Sequence, residues 1–227
     1  RGALQRAATS PPEMRYRVGM RARGLAIVGV LAALGCAAPR SVSLREGPRE
    51  YVGADYEAIL KRWTRADRLY SFQGVDDVLS VDSTFESWDF RWAYVIRYAE
   101  DYRLTLEQRR DLLTGALEDS RKYHQFFIAL YGNRPREGEL VGDKPGWVVR
   151  LADDKGHVTA PEQILPIKKP GVLERTYFPY TTTWRQVYRV RFPATTAAGP
   201  AIAPDASLAA LRFSGPLGSL ELHWAIK

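Results

Sequence analysis

Three histidines, His124, His157 and His223, are the only imidazoles in this chain of 227 residues, and they stand far apart. No HExxH spacing joins them. The single cysteine, Cys36, has no partner for a disulfide or a cysteine-rich zinc site. Ser214 sits in Phe213-Ser214-Gly215, without the GxSxG elbow that exposes a hydrolase serine. Three carboxylate pairs offer acid/base work: Asp76 with Asp77, Glu86 with Asp89, and Asp153 with Asp154. Of these, Asp153-Asp154-Lys155-Gly156 reads as a tight turn, because a calcium site needs about six to eight oxygens. No phosphate loop and no GxGxxG is present, so no cofactor and no metal is implied. What remains is a run of aromatics and arginines, Trp88, Arg91, Trp92 and Arg97, with Tyr94 and Tyr98 between them. These residue types could line a groove for a peptide, a glycan or a partner through stacking and cation–π contacts. The same pattern also describes a core element whose arginine stems run along apolar surface.

Cys36 belongs to a different chemistry. It closes an apolar run, residues 25–34, preceded by Arg15, Arg17, Arg21 and Arg23. Ten apolar residues suit the central region of an export signal and fall short of the ~20 that span a bilayer as a helix. Ala33-Leu34-Gly35-Cys36 resembles the lipobox of bacterial lipoproteins. The resemblance implies a diacylglycerol thioether on Cys36, cleavage before it and acylation of the new amino terminus. Two or three acyl chains would give stable anchoring. Ala37, where an aspartate would imply inner-membrane retention, implies the outer membrane. On this reading residues 20–35 are the signal peptide. Residues 1–19 are an upstream extension, with Met20 or Met14 as the start. The resemblance covers the leader and carries nothing about activity.

The leader also explains the charge. The formal net charge is +7, and residues 1–35 hold six arginines against one glutamate. The 192 residues from Cys36 onward carry 27 basic and 25 acidic side chains, interspersed along the chain. A near-neutral domain of that kind argues against nucleic acid as a partner. The implied partners are the membrane, through acyl chains on Cys36, and an envelope protein.

Residues 36–50, small, polar and proline-bearing, read as a tether, and 51–227 as one globular domain. Tyr56, Ile59, Leu60, Trp63 and Ala66 recur at helical spacing, predicting an amphipathic helix over 55–70 capped by Asp55. Residues 75–81 predict a strand. Ser83-Thr84-Phe85-Glu86 fits a capping box, with Ser87 as a second cap, before a helix carrying Trp88, Trp92, Val95, Ile96 and Ala99. Alternation from Trp88 to Tyr98 leaves a strand open there. Thr105-Leu106-Glu107-Gln108 is a further capping box, and it starts a helix over 106–122 that completes an αα-hairpin. Later strands are predicted over 126–131, 147–151, 158–167, 176–178, 186–192, 208–214 and 219–226. The last two flank a four-residue connection, Gly215 to Gly218. The fold class expected is α+β: a β-sandwich-like antiparallel sheet with an N-terminal helix and an inserted αα-hairpin. For such a chain the expected role is structural, assembly or scaffold work at the envelope without catalysis. Binding of a small ligand, peptide or glycan through an aromatic-rich groove is the alternative, and an envelope hydrolase the second.

Overall fold

The stripe of Tyr56, Ile59, Leu60 and Trp63 forms α1 (Tyr56–Trp63), and all four side chains are buried. The computed structural model describes residues 41–71, 77–134 and 138–227. The leader, Cys36 and Asp76 lie outside the described residues. α1 does not run on to residue 70 as its spacing predicts. It stops at Trp63, and the following residues form β1 (Thr64–Tyr70). The Trp63 carbonyl accepts from Trp224 Nε1 at 2.8 Å, while Thr64 Oγ1 donates to the Leu60 carbonyl at 2.7 Å. Arg65, Ala66 and Arg68 would suit a helix, but pairing with a strand wins, a tertiary override of local propensity. Asp55 does not cap α1 with its side chain; its Oδ2 instead accepts from Val52 N at 2.9 Å.

β2 (Asp77–Phe85) runs antiparallel to β1, from Thr64 against Thr84 to Tyr70 against Asp77. Ser83 and Thr84 therefore lie in a strand and cap nothing. The cap of α2 (Trp88–Asp101) is Ser87, whose Oγ accepts from Phe90 N at 3.2 Å. α3 (Leu106–Lys122) starts at the expected box, with Thr105 and Gln108 bonded reciprocally at 3.2 and 3.0 Å. It passes directly into β3 (Tyr123–Gly132), the antiparallel neighbour of β2, so the helical hairpin is an insertion between two paired strands.

β4 (Val148–Asp153) leads through the Asp154-Lys155 turn to β5 (Val158–Thr159). β6 (Gln163–Pro166) follows as a sheet edge, a place that tolerates Pro166. Residues 176–178, expected as a strand, instead close α4 (Val172–Tyr177) and the turn after it. Glu174 Oε2 accepts from Gly171 N at 2.7 Å and starts this helix, while β6 already holds the sheet edge beside β7 (Gln186–Pro193). The loop after β7 carries a small ladder of β8 (Thr195–Thr196) and β9 (Gly199–Pro200). β10 (Leu208–Gly215) and β11 (Gly218–Ala225) form the last hairpin. Gly215 pairs with Gly218, so the connection is only Pro216-Leu217, two residues shorter than the sequence suggests.

The strands make a five-stranded sheet in the order β1-β2-β3-β7-β6 and a four-stranded one in the order β11-β10-β4-β5. The fold is α+β and β-sandwich-like. The sheets share a core in which the Trp224 ring lies 6.2 Å from Phe85 and 5.4 Å from Phe126. The other face of the five-stranded sheet meets the helices, where Phe127 stacks on Phe178 with centroids 3.8 Å apart. Both faces of β3 are thus covered, which explains its unbroken apolar run. Ser41 to Glu50, read as part of a tether, is docked on the domain. Val42 is buried, donates to the Ala225 carbonyl at 2.8 Å and accepts from Lys227 N at 2.9 Å.

One carboxylate fastens several of these parts. Asp89, in the first turn of α2, is buried and accepts from Arg49 Nε at 2.9 Å, Tyr51 Oη at 2.5 Å and Trp63 Nε1 at 2.9 Å. Burial pushes this carboxyl up, but the bonds from Tyr51, Trp63 and Arg49 outweigh burial and hold it below the ordinary aspartate value. Asp89→Ala leaves the buried Trp63 Nε1 and the partly buried Arg49 and Tyr51 without this acceptor. It is expected to destabilise the domain by about 3 kcal/mol, read as a lower urea midpoint with an unchanged m-value.

Candidate functional site

A groove of about 540 Å³ lies between α1, the start of β1 and the 176–180 segment. That size lies within the ~300–1,000 Å³ of small-molecule sites. Its walls are mainly apolar, and three tyrosines shape them: Tyr56, Tyr177 and Tyr180. Each ring is fixed by its own hydroxyl. Tyr56 donates to the Tyr177 carbonyl at 2.6 Å, and Tyr177 donates to Asp101 Oδ2 at 3.0 Å. The Tyr180 hydroxyl and Thr84 Oγ1 share a hydrogen bond of 2.7 Å. Burial pushes all three phenols up, so they are neutral near pH 7 and none serves as a base. Glu57, Lys61 and Arg97 complete the lining. Arg97 Nε is held by Asp101 at 2.9 Å. The groove therefore presents locked aromatic surface beside charged groups of both signs.

The four residues that the sequence singles out for binding do not meet in one place. Trp88 Nε1 donates to the Gly47 carbonyl at 2.8 Å, and the Arg121 guanidinium lies 5.0 Å from its ring centroid. Arg91 is buried beneath α3, bonded to the Ala116 carbonyl at 2.9 Å and to Asp119 at 2.8 Å. Trp92 is half-buried, and its Nε1 has no acceptor among the described residues. Only Arg97 reaches the groove. A helix turns about 100° per residue, so neighbours in sequence face different sides. The groove tyrosines come from α1 and from residues 177 and 180, more than a hundred positions apart. Tyr56 is visible in the sequence only as one member of a helical stripe, and Tyr177 reads there as a strand residue.

The histidines and carboxylate pairs also separate. Burial pushes the His124 imidazole down to about 4, so it is neutral, and its ring meets the edge of Phe85. His223 Nε2 lies 3.5 Å from Glu221 Oε2 on an exposed strand face. Glu86 accepts from Arg189 and Gln125, while Asp89 serves the cluster around Trp63, so the two carboxylates share no reacting position. Among the described residues no three histidine, cysteine or acidic side chains converge as metal ligands.

Asp153 holds an imidazole, with His157 Nδ1 2.8 Å from its Oδ2. The same carboxylate accepts from the backbone N–H of Lys155 and His157 at 3.0 and 2.9 Å and from Ala203 N at 2.9 Å. That bond set belongs to a turn, with Gly156 at φ +93° supplying the left-handed residue.

No protein-family model matches the chain, and no curated protein matches it. A solved structure of a protein of unknown function from Burkholderia pseudomallei is similar at 14% identity, covering 75% of this chain and 81% of that one, with a TM-score of 0.37.

The turn yields a pH prediction. Burial pushes the Asp153 carboxyl up, but the bonds from Ala203, His157 and Lys155 outweigh it and bring it down to about 2. A depressed carboxyl stabilises the fold above its unfolded pKa of ~4 and loses that contribution as pH falls toward 2. Asp153→Asn is expected to cost about 2 kcal/mol at pH 7. Urea titrations at pH 7 and pH 2 check it, because the deficit shrinks as the wild-type carboxyl is protonated.

Proposed function

We propose that this chain is a lipid-anchored protein of the cell envelope, held at the outer membrane by acyl chains on Cys36, whose domain binds a small molecule in the tyrosine-lined groove. The observation that carries the binding role is the groove: concave, mainly apolar, and built from rings whose hydroxyls are already engaged. Pre-ordered aromatic walls lose little side-chain entropy when a ligand arrives. Lys61 and Glu57, which form no ion pair among the described residues, supply polar handles at the rim. The ligand class that fits is a mainly apolar molecule with one polar or charged group. Catalysis fits less well, because the phenols stay protonated and no nucleophile and base are paired in the groove. A purely structural or assembly role shares the anchor but has no use for such a cavity.

The anchor and the groove are tested separately. In cells, Cys36→Ala is expected to take up no labelled palmitate and to leave the membrane fraction. A variant that keeps both label and membrane association removes the lipoprotein reading. For the groove, the probe is 1-anilinonaphthalene-8-sulfonate, an aromatic body with one anionic group. Its fluorescence is expected to rise saturably with wild-type protein. Ala66→Trp, which fills the groove from an exposed strand position, is expected to weaken binding by about tenfold or more, some 1.4 kcal/mol. Equal binding by Ala66→Trp would falsify the groove as the site.

A further inference from the structure

The helical hairpin covers a second, charged cavity. Along β3 and β7, Gln125 pairs with Arg191 and Phe127 with Arg189, so these four share the sheet face opposite the sandwich core. Arg91 from α2 and Asp119 from α3 close over that face, and Glu86 lies at the end of β2 beside Gln125. Between them is a cavity of about 220 Å³. Three guanidiniums and two carboxylates line it, an excess of one positive charge. Glu174, a further carboxylate acting on Arg189, has one oxygen engaged by Gly171 N.

The internal pairing leaves donors over. Glu86 accepts from Gln125 Nε2 through one oxygen and from Arg189 Nε at 3.3 Å through the other. Gln125 Oε1 accepts from Arg191 Nε at 2.6 Å. Asp119 Oδ2 accepts from Arg91 Nη1 at 2.8 Å and Arg191 Nη2 at 3.5 Å. Arg189, whose side chain is 35% exposed, bonds Glu86 through its Nε. Arg91 is 7% exposed, and its Nη2 is buried with no partner among the described residues. A native interior rarely leaves such a donor unmatched. The rest of the wall is apolar: Phe90, Val95, Leu112 and Phe178.

We infer that this cavity is a binding site for a small organic carboxylate, whose anionic end meets the unpartnered Arg91 Nη2 and the Arg189 guanidinium while its compact apolar body packs against Phe90, Leu112 and Phe178. A guanidinium fork matches a carboxylate in two parallel bonds. The cavity is smaller than drug-sized sites, which restricts the body to about a single ring. The Tyr94 phenol, pushed up to about 12 by burial, remains a donor to the same anion. This site is separate from the tyrosine-lined groove and does not depend on it.

Isothermal titration of the full chain with sodium benzoate tests the assignment, with benzamide and inorganic phosphate as comparisons. Benzoate is expected to bind saturably, with benzamide and phosphate each about tenfold weaker or more. Leu112→Trp fills the cavity from its half-exposed wall and is expected to abolish benzoate binding while leaving the melting temperature unchanged. Arg189→Gln is expected to weaken benzoate about tenfold, and Ala66→Trp in the other groove to leave it unaltered. The assignment is overturned if benzoate shows no saturable heat, if benzamide or phosphate binds as tightly, or if Leu112→Trp binds as wild type does.

Discussion

The buried Asp89 carboxylate is the constraint on which the arrangement of parts depends. It sits at the start of α2, where the helix end favours negative charge. It draws in the N-terminal segment through Arg49 and Tyr51 and draws in α1 through Trp63. Trp63 in turn accepts from Trp224, so the chain of bonds reaches from a helix cap across to the second sheet. A charge buried to this depth is tolerable only when its oxygens are matched by donors, and here the donors come from two different stretches. Helix position, strand start and docking of the 41–50 segment are therefore set together.

The five-stranded sheet has two faces with opposed chemistry. Toward the second sheet it presents Phe126, Ile128, Val190 and Phe192, all fully buried. Toward the helices it presents Gln125, Arg189 and Arg191, with Phe127 among them. α3 illustrates the consequence. It has no buried residue, and Leu106 is 84% exposed. Polar pins from Arg91 and Arg191 to Asp119, together with its contact on α2, hold the helix where an apolar stripe alone would not. A helix seated in this way spans a charged layer and leaves a cavity beneath it.

Much of the fold is legible in the sequence where one signal acts alone. The Thr105–Gln108 box, the alternation of Leu220, Leu222 and Trp224, and the Asp153–Gly156 turn each follow from local chemistry, and the structure has all three. Where two signals compete, sequence reading fails. Thr64 to Tyr70 has helical spacing behind it, but becomes a strand because β2 offers it a ladder and Trp224 takes the carbonyl of Trp63. Residues 176–178 favour strands by type, yet β6 holds that edge and the rings of Tyr177 and Phe178 pack on α2 and β3. The candidate site fares worse, since only Arg97 of the four proposed residues reaches the groove.

The amino-acid sequence by itself determined the class of fold and the insertion of the hairpin between two strands. These rest on periodicity, caps and composition, which act over a few neighbouring residues. The tertiary structure alone decided which side chains meet. Tyr56 and Tyr177 touch across a separation of more than a hundred residues, and Arg191 reaches Gln125 only because β3 and β7 pair in one register. No local pattern encodes such meetings, because they follow from the sheet order and from which face of each strand the helices cover.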